Sequence, residues 1–155
     1  MKPIPFQHEL RIYWEDTDAG GIVFYANYLK FFERARTEWL RSLGIAQSRL
    51  RESAGGIFVV GETSVRYLAP ARLDDELLVT AELKELGKAS LIIGQQARRG
   101  DTLLAEGTIR IGWVDDKTLR PGRIPPAILG VLRSEWTKTC PSCSSCWGPA
   151  SSCSW

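Results

Sequence analysis

Residues 1–139 hold no cysteine, and the chain has a single histidine, His8, and a single methionine, Met1. A body without cysteine is no disulfide scaffold. One histidine rules out an H-E-x-x-H zinc helix, and any Ser-His-Asp triad would depend on His8, close to the N-terminus. Charge of one sign is also lacking. Twenty Lys and Arg face eighteen Asp and Glu, for a net charge of +2, so no broad nucleic-acid surface is expected. No apolar run approaches the roughly 20 residues of a membrane span, and "MKPIPFQHEL" has no apolar signal-peptide core. The expected location is the cytoplasm, with no membrane-spanning segment. There is no G-x-S-x-G elbow and no G-x-G-x-x-G turn. "GKAS" at Gly87–Ser90 resembles the end of a phosphate loop, but Glu82 stands where that loop needs glycine.

What is present fits one soluble domain. The 155 residues suffice for a core without staples, and 44% hydrophobic with 25% charged residues is ordinary globular composition. In "ELRIYWE", Leu10, Ile12 and Trp14 alternate with Glu9, Arg11 and Glu15, which predicts a strand with one apolar face. From Tyr28 the period lengthens. Tyr28, Phe32, Ala35, Trp39 and Leu43 recur every three or four positions, predicting an amphipathic helix that ends at Gly44. A second short helix is expected in "AQSRLRESAGG". Four strand-like segments follow: "IFVVGETSVRYL", "ELLVTAELKEL", "ASLIIGQQARR" and "TLLAEGTIRIGWV". The breaks hold Pro70 with Asp74 and Asp75, then Gly87-Lys88, then Gly100-Asp101. Breaks this short predict an antiparallel meander of these four strands, with a terminal helix at Ala127–Trp136. The fold class is α+β, a curled five-stranded antiparallel sheet with the long helix on one face.

The stretch "EDTDAGGIVFYANY" raises a question of function. It places Glu15, Asp16 and Asp18 within four positions, then Ala-Gly-Gly, then an aromatic helix start. Asp18 falls on the loop between strand and helix. Gly20 and Gly21 permit a tight turn and close approach of backbone to a ligand. The helix begins near Tyr25–Asn27, and its first N–H groups have no intrahelical partner. Such donors can hold a developing oxyanion. A carboxylate beside them suits attack on an activated carbonyl, as nucleophile or as general base for water. A thioester is within reach of so weak a nucleophile; an amide is not. Two roles are therefore open to Asp18, the reacting carboxylate or a turn and cap residue. Asn27 can cap the helix or orient the loop. Glu15 and Asp16 read as solvated or structural.

The residues Tyr13–Gly44, "YWEDTDAGGIVFYANYLKFFERARTEWLRSLG", closely resemble the signature of the hotdog-fold acyl-CoA thioesterases, in the 4-hydroxybenzoyl-CoA thioesterase-like group and its Tol–Pal-associated YbgC-type branch. "VRYLAPARLDDEL", Val65–Leu77, resembles the family's second block, and the likeness spans about residues 8–130. It implies a hotdog fold over residues 1–138: a long central helix wrapped by the sheet, dimerised sheet to sheet. It implies hydrolysis of acyl-CoA to acid and coenzyme A. The family's catalytic aspartate maps to Asp18 and its oxyanion donor to the backbone N–H of Tyr25, with Gly21 and Asn27 beside the substrate. No metal and no cofactor are implied, coenzyme A being part of the substrate. A homodimer or a dimer of dimers is implied, and the branch points to envelope or phospholipid-synthesis partners. Tyr25 departs from the histidine often found there, which removes any imidazole contribution and leaves the backbone donor intact.

Arg66, Arg72, Lys88, Arg98 and Arg99 are the cations that could meet the phosphates of coenzyme A. Residues 139–155 form a Ser/Cys/Trp-rich tail with all four cysteines in "CPSCSSCWGPASSC". Zinc and iron–sulfur sites use related spacings, but no strand or helix pattern here would hold one. A disordered extension is expected. The competing function is a non-catalytic acyl-CoA or acyl-carrier-protein binding module, or an envelope interaction protein, on the same fold.

Overall fold

The computed structural model describes residues 4–139. Strand β1, Phe6–Arg11, leads through a single 3-10 turn at Trp14–Asp16 to the long helix α1, Asn27–Ser42. A short helix α2, Gln47–Ala54, precedes strands β2, Gly56–Tyr67; β3, Glu76–Leu86; β4, Ser90–Arg99; and β5, Thr102–Asp115. Helix α3, Pro126–Thr139, closes the described chain. The expected tail beyond Thr139, with its cysteines, lies outside the described residues.

The five strands form one antiparallel sheet in the order β1-β3-β4-β5-β2. This is the hotdog arrangement, with one correction. β3, β4 and β5 form a meander, but β2 pairs with β5 and lies at the far edge from β3. The connection from β2 to β3, residues 68–75, therefore crosses two strands instead of closing a hairpin. Three strand spacings are about 14 Å, and eight extended residues reach about 26 Å, so the crossing is easily spanned.

Alternate residues of the central strands are buried on the sheet face that carries α1, in one cluster with it: Val79, Ala81 and Leu83 of β3, Leu91 and Ile93 of β4, Ile109 and Ile111 of β5. α1 answers with Tyr28, Phe31, Phe32, Ala35, Trp39 and Leu40. The buried face is wider than the expected stripe, while Leu43 is only half-buried. The helix ends in a Schellman turn. Ile45 N–H bonds the Leu40 carbonyl at 2.9 Å and Gly44 N–H the Arg41 carbonyl at 3.0 Å, with Gly44 at φ +83°. Two polar residues enter this apolar layer. Gln95 donates to the Phe32 and Thr80 carbonyls at 2.9 and 3.2 Å and accepts from Arg36 Nη1 at 3.0 Å. Burial lowers the pKa of Arg36 from its ordinary value.

A second correction concerns Trp14. It was expected on the core face of the first strand, but β1 stops at Arg11 and Trp14 is 81% exposed. The cause is local. Asp16 Oδ2 accepts the Tyr13 N–H at 2.9 Å, which turns the chain out of the ladder after Ile12.

Candidate active site

The segment between β1 and α1 is built around Asp16 and a miniature hairpin. Asp16 is 5% exposed. Its carbonyl accepts both the Phe24 N–H at 3.0 Å and Asn27 Nδ2 at 2.8 Å, tying the start of the loop to the start of α1. Of the two roles open to Asn27, the structure shows loop orientation. The position before α1 is Ala26, and no side chain caps the helix.

Beyond Asp16 the chain folds back on itself, with Thr17 bridged to Val23 and Asp18 N–H bonded to the Ile22 carbonyl at 2.8 Å. Gly21 closes the turn at φ +78°, a conformation other residues adopt only with strain. Asp18 is exposed on this hairpin. Its Oδ1 accepts the Gly20 N–H at 2.8 Å and the Ile22 N–H at 3.4 Å. Oδ2 has no partner among the described residues. Three residues after Ile22, Tyr25 stands at the entrance to α1. Its N–H has no protein acceptor among the described residues, while its carbonyl accepts the Tyr67 hydroxyl at 2.8 Å. Tyr67 also packs edge-on against the rings of Tyr25 and Tyr28, at 6.2 and 5.4 Å. Burial pushes the Tyr28 and Tyr67 hydroxyls above the ordinary 10.0; the Tyr28 hydroxyl accepts the Ala71 N–H, and the Tyr67 hydroxyl donates to the Tyr25 carbonyl.

The wall behind the hairpin is the turn Pro70–Asp75. Val23 N–H bonds the Ala71 carbonyl at 2.9 Å, and Ile22 is bridged to Arg72. Asp75 Oδ2 accepts the Arg72 N–H and Arg99 Nη1, each at 2.8 Å. The structure thus brings Asp18, Gly21, Tyr25, Asn27, Arg72 and Arg99 to one end of the sheet. It does not gather all five cations. Arg66 pairs with Glu106 and Arg98 bonds Gln96 Oε1, both on the sheet face turned away from α1. Lys88 lies in the β3–β4 turn, separated from Arg99 by the length of β4, about 30 Å. Two hollows lie away from Asp18. One of about 480 Å³ on the outer sheet face is lined by Ser64, Arg66, Thr80, Glu82 and Glu106. One of about 110 Å³ between α1 and β2 is lined by Arg36, Leu40, Phe58 and Val60. Sequence reading missed Tyr67, although it lies in the Val65–Leu77 block, and took Asp75 only as a turn former. No group of three or more His, Cys, Asp or Glu able to hold a metal ion occurs among the described residues.

A curled five-stranded antiparallel sheet around a central helix defines a hotdog fold. Residues 12–132 match the thioesterase-like superfamily, and the chain belongs to that family. The acyl-CoA thioesterase YbgC of Haemophilus influenzae is 40% identical over 123 residues, covering 79% of this chain and 90% of that protein. The acyl-CoA thioester hydrolase YbgC of Escherichia coli O6:H1 is 40% identical over 134 residues, covering 86% and 99%. A crystal structure of a probable thioesterase from Bartonella henselae superimposes with a TM-score of 0.75 at 29% identity, covering 79% of this chain and all of that one.

Proposed function

We propose that this protein hydrolyses acyl-CoA thioesters to a free acid and coenzyme A. Membership of the family and 40% identity to acyl-CoA thioesterases over most of the chain support thioester hydrolysis. The observation that carries the mechanism is the Tyr25 N–H, unpartnered at an uncapped helix start and following the Asp18 hairpin directly. The thioester carbonyl accepts from that N–H, and negative charge developing on its oxygen is stabilised there. Asp18, with Oδ2 open, supplies the carboxylate. As nucleophile it forms an acyl anhydride and expels the coenzyme A thiolate, and water then opens the anhydride. As general base it takes a proton from water, which attacks directly. Single turnover in ¹⁸O water tests the nucleophilic route, because water opening the anhydride at the Asp18 carbonyl leaves ¹⁸O in that carboxylate, which the general-base route never does. Neither route uses a metal or a redox cofactor. Arg72 is the cation at this end open to the coenzyme A phosphates, the Arg99 guanidinium being held by Asp75 and the Pro70 carbonyl.

The assembly is a homodimer or a dimer of dimers. β2 is an edge strand of 12 residues with Val59, Val60 and Tyr67 exposed. Such an edge calls for a strand partner. Tyr25, 63% exposed, and the neighbouring Phe24 and Leu68 are open at the same end and are covered by the second copy. The protein acts in the cytoplasm; no helix among the described residues is long and apolar enough to cross a membrane. The function is tested on short, long and aromatic acyl-CoA substrates with detection of the free thiol. Turnover of at least one class is expected. Stoichiometric binding without thiol release would place the protein among non-catalytic acyl-CoA binders.

A further inference from the structure

We propose that Asp75, gripped by Arg99, is a positioning residue for the Asp18 hairpin. The proposal rests on the reading of Asp18 as the reacting carboxylate. The hairpin has few anchors of its own: Gly20 and Gly21 leave its tip without side chains, and Asp18 itself is exposed. Its returning arm is held instead by the Pro70–Asp75 turn, through Val23 N–H to the Ala71 carbonyl and through the Ile22–Arg72 bridge. The same turn holds the chain ahead of the hairpin. Ile12 N–H bonds the Asp75 carbonyl at 2.9 Å, and Asp74 N–H bonds the Ile12 carbonyl at 3.0 Å. Tyr28, on the first turn of α1, accepts the Ala71 N–H on its hydroxyl at 3.2 Å. One turn therefore touches the chain before the hairpin, the hairpin's return, and the helix that follows.

Beside the backbone bond from Asp75 N–H to the Arg72 carbonyl at 3.2 Å and the bond from Arg11 Nη1 to the Asp74 carbonyl at 2.8 Å, one carboxylate oxygen and one guanidinium nitrogen tie the turn together. Asp75 Oδ2 takes the Arg72 N–H and Arg99 Nη1, and the same Nη1 reaches the Pro70 carbonyl at 3.2 Å. The ends of the turn are thereby closed on each other and on the last residue of β4. Asp74 sits between them at φ +68°, a left-handed conformation held where surrounding contacts over-determine it. Loosening the Arg99–Asp75 grip frees the turn that Ile22 and Val23 lean on, and Ile22 supplies both a donor and an acceptor to Asp18.

The test uses the full-length protein and steady-state kinetics. Asp75→Asn is expected to lower kcat by about 10- to 100-fold, the scale of a small misplacement at a reacting centre, with KM changed by less than about threefold. Arg99→Lys, which keeps a charged donor, is expected to retain more kcat than Arg99→Ala. The deciding readout is the Asp18→Asn background, where Asp75→Asn should bring no further fall because its route to the chemistry is gone. Arg99→Ala in that background makes the same comparison if Asp75→Asn does not fold. A folded Asp75→Asn with more than half of the wild-type kcat would overturn the proposal, as would an equal fall in both backgrounds. A different result, an Asp18→Asn enzyme keeping more than a tenth of kcat, would overturn the reading of Asp18 and the proposal with it.

Discussion

Trp39→Ala removes the largest side chain from the contact between α1 and the sheet. Trp39 is 2% exposed and belongs to the same buried cluster as Phe32, Ala35 and Leu40. A buried tryptophan withdraws up to about 250 Å² from water, of which roughly 150 Å² is lost on truncation to alanine. At about 25 cal/mol per Å² that is close to 4 kcal/mol. The value falls within the about 3–5 kcal/mol typical of large-to-alanine changes in packed cores. Leu43, on the same expected stripe but half-buried at the Schellman turn, should cost only about 1 kcal/mol when truncated. Urea unfolding at fixed protomer concentration measures both, read as a shift in midpoint at unchanged slope. A Trp39→Ala cost below about 1 kcal/mol, or one no larger than that of Leu43→Ala, would refute the packing described for α1.

Three further outcomes are expected. Burial of Asp75 pushes its carboxyl up, but the Arg99 hydrogen bond, the Arg72 N–H and the charges of both arginines outweigh it, leaving it below the ordinary 3.8. A depressed carboxylate adds stability that is full above its unfolded pKa and is lost as pH falls through the folded one. The Tm gap between wild type and Asp75→Asn should thus hold steady near neutral pH and close below about pH 4; a gap that widens in acid would contradict this. In Gly107→Ala the new Cβ would lie 2.7 Å from the Ser64 carbonyl oxygen, a backbone atom of β2, so the variant should lose about 1 kcal/mol or more in the same urea assay. Light scattering at micromolar concentration should give a dimer or tetramer mass, with Val60→Lys on the β2 edge shifting it toward monomer; a wild-type monomer would contradict the proposed assembly.

Local features were legible and long-range ones were not. The α1 stripe, its stop at Gly44 and the strand segments all follow from periodicity and turn chemistry that act within a few residues. The extra burial of Phe31, Arg36 and Leu40 does not, because it depends on how far the sheet wraps the helix. The position of β2 was hidden for the same reason. An eight-residue break between strands has the same composition whether the strands pair or lie at opposite sides of β4 and β5. Trp14 was misplaced because alternation continues through Tyr13 and Glu15, while the Asp16 carboxylate turns the backbone away. In the site, the Asp18 loop was visible as carboxylates followed by paired glycines. The Asp75–Arg99 grip was not, since its partners stand 24 residues apart on different elements.

The central claim is that the Asp18 carboxylate does the chemistry beside the Tyr25 N–H. Its most direct test is kcat of Asp18→Asn on the best acyl-CoA substrate, measured beside Asp16→Asn and Tyr25→Phe. The Asn side chain keeps the shape and removes the charge, so kcat should fall about 10²- to 10⁴-fold with KM little changed. Asp16→Asn should cost far less, because its oxygen serves the Tyr13 N–H and no reacting atom. Tyr25→Phe should be mild, because the proposed donor is backbone. An Asp18→Asn enzyme that keeps more than about a tenth of wild-type kcat would contradict the account, and a dead Asp16→Asn beside it would move the chemistry to the other carboxylate.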